Sequence, residues 1–224
     1  MCLNNYSAII FDLDGCLLDT SEGIKESVVH TLSQFGIDLE NNTDVIDRFI
    51  GPPIQNSLKS YCGFSESQAQ EGANIFRNYY KEKALLKASV YPGLSDVLQQ
   101  LKSLGVNTAV ATYKREDYAK TILDSFGLSQ YFNVIHGADN FNRLTKRDII
   151  ESCIAEMHVD KSGTVMIGDT FHDYNGAKEV GVKFIGVSWG FGFRETDRFN
   201  EPMFLGLAQS PVDILSILAI GNNK

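Results

Sequence analysis

The sequence predicts an α/β protein: a doubly wound parallel sheet carrying a small helical domain inserted after the first strand. Two observations lead there. Short apolar runs bounded by polar residues alternate with segments of helical period, the pattern of a parallel sheet covered on both faces. One stretch, about residues 17–87, breaks the alternation with helical patterns and no convincing strand.

The first strand is read at 7–12 (SAIIFD), four more at 106–111, 132–136, 164–167 and 183–188. Both faces of such a sheet are buried, so its strands need not alternate polar and apolar. Leu94, Val97, Leu98, Leu101 and Leu104 recur at helical spacing, and Gly105 stops that helix. Tyr118, Ile122 and Phe126 make a second face before Gly127, and Ile149, Ile150, Cys153, Ile154 and Met157 a third. Within the insert, Ile24, Val28, Leu32 and Phe35 form a stripe with Thr20 or Ser21 as N-cap and Gly36 as stop. A short helix at 43–50 ends at Gly51-Pro52-Pro53. Pro53 opens a helix to about Tyr61, and 65–83 reads as a longer one. The expected domains are therefore 1–16 with 88–224 as the α/β core, and 17–87 as the helical insert.

The formal charge of −8 and the lack of a basic stripe argue against nucleic acid. No run has the length of a membrane span, and the N-terminus lacks a signal pattern. Cys2, Cys16, Cys62 and Cys153 show neither metal nor disulfide spacing, so a reduced, cytoplasmic setting is expected. A monomer or homodimer is compatible with this composition.

Ligands of an open parallel sheet bind beyond the carboxyl ends of its strands. The first strand delivers Asp12 and Asp14 there, the 106–111 strand Thr112, and the 164–167 strand Gly168-Asp169-Thr170 and then Asp173. A single strand-end Asp is usually a turn former. Four acidic groups on one rim repel and require protons or a cation. Oxygen ligands suit a hard ion such as Mg²⁺, which keeps positions for water and substrate phosphate.

Asp12-Leu13-Asp14-Gly15, Thr112, Lys146 and Gly168-Asp169-Thr170-x-x-Asp173, in this order, resemble the haloacid dehalogenase-like superfamily. The nearest branch is the phosphoglycolate phosphatase-like group with a helical cap. Phe49-Ile50-Gly51-Pro52-Pro53 and Gly190-Phe191-Gly192 resemble that branch more weakly. The resemblance implies a Mg²⁺-dependent phosphatase acting on a small soluble phosphate ester. Phosphoglycolate, a sugar phosphate and a nucleoside monophosphate all qualify. It implies Asp12 as nucleophile, forming an aspartyl-phosphate. Asp14 becomes the general acid and base. Asp12, the Asp14 carbonyl and Asp169 become metal ligands, with Asp173 acting through water or by orienting backbone. Thr112, with Tyr113 beside it, and Lys146 would bind the phosphoryl group. Arg143 and Arg147 flank Lys146, and the apolar face beginning at Ile149 favours Lys146 at the helix start.

In the insert, Arg48 and Gly51 are candidate substrate contacts, although Arg48 also fits a solvated helix-end cation. Asp19 reads as a helix cap at the domain entry, Cys16 as a packing variant, His172 as a helix N-terminal residue, and Lys81, Lys83 and Lys87 as a solvated face. Trp189, Phe191 and Phe193 read as packing, with nucleobase stacking as the alternative. Two other functions stay open. A β-phosphoglucomutase-like phosphomutase is disfavoured because the position where those enzymes usually carry histidine is Ile24. A receiver-type phospho-accepting domain is disfavoured by the acid two residues after the nucleophile and by the insert.

Overall fold

The structure, a computed structural model, describes residues 6–38, 43–140, 143–197, 199 and 201–220. Two compact units emerge, one of Met1–Leu18 with Val90–Lys224, the other Asp19–Ser89.

The larger unit is built on a six-stranded sheet in the order β5-β4-β1-β6-β7-β8. Its strands are β1 (Ala8–Phe11), β4 (Asn107–Arg115), β5 (Val134–Ala138), β6 (Thr164–Gly168), β7 (Lys183–Val187) and β8 (Phe204–Ala208). Every neighbouring pair is parallel. The covering helices are α5 (Leu94–Ser103), α6 (Glu116–Ser125), α7 (Lys146–Met157), α8 (Phe171–Val180) and α9 (Pro211–Ile220). The doubly wound α/β class is thus realised. Strand β1 is buried at every position, as a central parallel strand must be. One core layer joins Ile10, Ala109, Ala111 and Met166 of the sheet to Ile149, Ile150 and Cys153 of α7 and Ala177 of α8.

Two differences from the sequence reading bear on the site. Strand β4 runs to Arg115, so Thr112, Tyr113 and Lys114 lie inside a strand expected to stop at 111. Strand β1 ends at Phe11, and the chain turns at Leu13, whose carbonyl accepts from the amides of Cys16, Leu17 and Leu18. Asp12 and Asp14 therefore do not lie on one continuous strand. Gly15 takes the turn at φ 80°, a conformation costly for any side chain. Beyond the expected elements, β8 and α9 complete the sheet edge and its cover.

The smaller unit holds α1 (Ser21–Ser33), α2 (Thr43–Asp47), α3 (Ile54–Cys62) and α4 (Glu66–Tyr79), followed by a π-turn at Tyr80–Ala84. Asp19 accepts from the Ser21 amide at 3.0 Å and so caps α1. Ser65 and Gln68 close a capping box on α4. Gly23 is packed so tightly that a Cβ would lie 2.3 Å from the Ala84 carbonyl oxygen. Lys81 and Lys83 are exposed, as a solvated face requires, and Lys87 is part-exposed. Lys87 pairs with Glu26, which also accepts from the Tyr79 hydroxyl at 2.6 Å. The chain passes between the units through β2 (Leu18–Asp19) and β3 (Ser89–Val90), a two-stranded pair too short to show periodicity in sequence. Among the described residues no helix is long and apolar enough to cross a membrane.

Candidate active site

Three adjacent strands supply the site. The Asp12 amide continues the β1–β6 ladder by donating to the Ile167 carbonyl at 2.8 Å, which fixes Asp12 beside the end of β6. Asp169 follows β6 directly, and Asp173 sits in the first turn of α8. Oxygen atoms of Asp12, Asp169 and Asp173 all lie within 4.8 Å of one another, and all three residues are buried.

Among the described residues, one cation enters this group. Lys146, 3% exposed, places Nζ 2.8 Å from Asp12 and 2.7 Å from Asp173. Three buried carboxylates against one ammonium leave two negative charges uncompensated. Burial accordingly pushes the Asp12 carboxyl up to about 7, Lys146 pulling it down and Asp173 pushing it up. Burial, then Asp173 and Asp12, drive Asp169 well above the usual carboxylate range. Burial alone would lower the Lys146 ammonium, but Asp12 and Asp173 reverse the sign and raise it.

The donor set fits a hard divalent cation. Asp169 Oδ2 accepts from the Phe191 amide at 2.7 Å, whereas Oδ1 is fully buried with no hydrogen-bond partner among the described residues. An orphaned buried carboxylate oxygen is costly unless a cation takes it. Asp173 has less to offer a metal. Its Oδ2 caps α8 through the Thr170 amide and hydroxyl, at 3.1 and 2.7 Å, while Oδ1 serves Lys146.

The chain matches the family model described as haloacid dehalogenase-like hydrolase over residues 9–187. It belongs to the haloacid dehalogenase-like hydrolases. Among curated relatives it is 34% identical to a 5′-nucleotidase of Pseudomonas aeruginosa, spanning 88% of this chain and 89% of that one. It is 36% identical to the tyrosine-protein kinase PtkA of Mycobacterium tuberculosis, over 82% of this chain but only 62% of that protein. It is 30% identical to a phosphoglycolate phosphatase of Aquifex aeolicus, over 82% and 85% of the two chains. Among solved structures, a predicted phosphatase from Clostridium acetobutylicum superposes with a TM-score of 0.87 at 33% identity, covering 94% of this chain and 97% of that one. Within the haloacid dehalogenase-like hydrolases the chain sits with the phosphatases.

The rest of this haloacid dehalogenase-like site explains its local sequence. Thr145 and Asp148 form a capping box that starts α7 at Lys146. Arg147, by contrast, turns outward toward Glu151. Gly176 on α8 makes room for the lysine stem, since a Cβ there would lie 2.7 Å from Lys146 Cγ. Tyr113 places its hydroxyl 3.0 Å from the Lys146 amide, from which it accepts, and its ring 5.4 Å from the ammonium. Thr112 is buried, and its hydroxyl accepts from the Lys114 amide at 3.1 Å. Cys16 is wholly buried, and burial followed by Asp12 drives its thiol well above the ordinary value, a packing residue and no nucleophile.

The Trp189–Phe193 segment wraps Asp169. Besides the Phe191 amide on the carboxylate, the Phe193 amide donates to the Asp169 carbonyl at 2.8 Å. A Cβ on Gly190 would lie 2.4 Å from both Asp169 Cβ and the Gly15 carbonyl oxygen, and one on Gly192 2.5 Å from the Asp169 carbonyl oxygen. Trp189 Nε1 donates to the Cys16 carbonyl at 3.2 Å. Phe193 is core. His172 is exposed in the first turn of α8, edge-on to Tyr113. Arg48 and Gly51 belong to the smaller unit. Arg48 is exposed just past α2, and Gly51 takes φ 102° in the turn before α3.

Sequence reasoning missed Lys114. It is 9% exposed and donates from Nζ to both oxygens of Asp14, at 2.8 and 3.1 Å. A lysine two residues past a strand-end threonine reads as a solvated exit. The strand in fact runs on to Arg115, with a register shift against β5 between Ala111 and Arg115 that no local pattern announces.

Proposed function

We propose that this phosphatase is a Mg²⁺-dependent phosphomonoesterase for a small phosphate ester, working through an aspartyl-phosphate on Asp12. One observation carries the reading: Asp12, Asp169 and Asp173 converge within 4.8 Å around a single lysine, two positive charges short of neutrality. A divalent cation restores that balance, and a phosphate brings its own charge to the same place.

Asp12, the backbone carbonyl of Asp14 and Asp169 Oδ1 are the groups that would hold Mg²⁺. The ion supplies charge neutralisation between an anionic nucleophile and an anionic phosphate. The Asp12 oxygen attacks phosphorus as the ester oxygen leaves with a proton from Asp14. Asp14 then takes a proton from water, whose oxygen displaces Asp12 and frees inorganic phosphate. Lys146 keeps Asp12 oriented and offsets charge on the phosphoryl oxygens, and the Thr112 hydroxyl is available to donate to one of them. Asp173 holds Lys146 in place. The helical unit, inserted directly after the Asp14 turn, is assigned the reading of the leaving group, with Arg48 and Gly51 as the positions to test. Ile24, where related mutases carry histidine, is buried and apolar, which favours hydrolysis over phosphoryl transfer within a sugar.

The test is phosphate release from p-nitrophenyl phosphate with Mg²⁺ and with a chelator, for the wild type and Asp12→Asn. Turnover should need the metal and vanish in the variant. Turnover surviving Asp12→Asn would remove the nucleophile assignment. A panel spanning phosphoglycolate, sugar phosphates and nucleoside monophosphates then ranks the substrates.

A further inference from the structure

We propose that Lys114 is a positioning residue for the general acid. It aims the Asp14 carboxyl at the leaving oxygen and receives its negative charge when the proton departs. The inference rests on the phosphatase reading above, with Asp14 as the acid.

The geometry separates two acids that lie two residues apart. Asp12 goes to Lys146, and Asp14 goes to Lys114. Each carboxylate has its own cation, so neither competes for the other's. The Asp14–Lys114 pair is close to buried, with side chains 12% and 5% exposed. A lone surface pair of this kind would contribute little. Here both carboxylate oxygens accept from one ammonium, which fixes the carboxylate's direction as well as its place.

Lys114 itself is held by the sheet. Strand β4 continues past Val110, its last rung with β1, to Arg115, and the Lys114 amide donates to Thr112 Oγ1. The lysine is thereby carried on a strand, while Asp14 sits on a turn. A strand-borne cation beside an acid that leaves the sheet on a turn is an arrangement suited to positioning.

The chemical consequence is specific. As the ester P–O bond breaks, the proton of Asp14 moves to the leaving oxygen and Asp14 becomes a carboxylate. Lys114 lies where that charge appears, so it stabilises the step only to the extent that the leaving group needs a proton. An alkoxide needs one. A p-nitrophenolate leaves without it.

The experiment compares an alkyl ester, glycerol phosphate, with p-nitrophenyl phosphate in Lys114→Met, Lys114→Arg and Asp14→Asn. Lys114→Met should lower kcat/KM for the alkyl ester roughly 100-fold and for the aryl ester less than about 5-fold. Lys114→Arg, which restores charge and a forked donor, should recover part of the alkyl loss. Asp14→Asn should show the same selectivity more strongly. Equal losses on both esters in Lys114→Met, or no loss on either, overturn the proposal. If Asp14→Asn itself fails to discriminate between the esters, the acid assignment falls first, a separable result. Should methionine destabilise the fold, Lys114→Gln, which keeps a donor without charge, is read in the same way.

Discussion

Asp173 gives one carboxylate oxygen to Lys146 at 2.7 Å and spends the other on capping α8 through Thr170. The same side chain thus starts a helix and holds the site's cation. The two duties separate by mutation. At this N3 position of the capping box, Asn still offers an oxygen to the Thr170 amide but carries no charge. Asp173→Asn should cost little in thermal stability and lower kcat/KM by roughly 10-fold or more. Asp173→Ala should lose the cap as well, about 1 kcal/mol further. Thermal melts and initial rates on both variants check this.

Gly176→Ala sets two effects against each other. Helix propensity favours alanine by about 1 kcal/mol. The new methyl would meet Lys146 Cγ at 2.7 Å and Cβ at 2.9 Å, the near end of the stem, which cannot swing away freely. Overpacking of about 1–3 kcal/mol should win. The variant should melt lower than wild type and lose activity, because the displaced stem carries the ammonium that pairs with Asp12. A higher melting temperature with full activity would show that the helix pair relaxes.

The acidic cluster predicts a pH dependence whose sign can be worked out. Asp12 has a folded value of about 7 against an ordinary 3.8, and Asp169 is raised too. Between those values the folded state binds more protons than the unfolded, so stability from these groups falls as pH rises. The metal-free protein should therefore lose stability from pH 4 to pH 7 relative to Asp169→Asn. Mg²⁺ requires the deprotonated ligands, so its stabilisation should grow over the same range. Melting temperatures with chelator and with Mg²⁺, at pH 5 and pH 8, measure both trends.

Trp189 is the sole tryptophan of the chain, and its neighbours clamp Asp169. Its indole N–H lies on the Cys16 carbonyl and its ring lies 6.2 Å from Tyr91. Mg²⁺ binding at Asp169 Oδ1 should shift or quench its emission with saturation, and Asp169→Asn should abolish the response. An unchanged spectrum in the wild type, with metal binding seen by calorimetry, would show that the segment does not feel the ion.

The acidic residues were readable as a group because motif spacing and strand ends coincide: Asp12 after the run Ala8–Phe11, Asp169 and Asp173 after Thr164–Gly168. Lys146 was readable through the apolar face that begins at Ile149. The α/β class followed from the same alternation. What escaped depends on distance in sequence. Nothing local to Lys114 marks Asp14, one hundred residues away, as its partner. Gly190 and Gly192 look like loop residues until Asp169 is seen pressed against them. The pair β2 and β3 has too few residues for a period, and the Glu26–Lys87 pair spans the whole insert. Strand β8 carries a glycine in its middle, which weakens its signal.

The rim that carries Thr112, Asp12 and Asp169 is laid out on β4, β1 and β6, three strands hydrogen-bonded side by side. Adjacent strands keep a spacing of about 4.8 Å whatever their side chains. The backbone ladder is therefore a ruler. The backbone interval between Asp12, Thr112 and Asp169 is set largely by that ladder, and the Trp189–Phe193 segment then holds the Asp169 carboxylate. Such a frame lets the inserted helices change freely over evolutionary time while the reaction centre keeps its dimensions, so one chemistry can be handed from substrate to substrate.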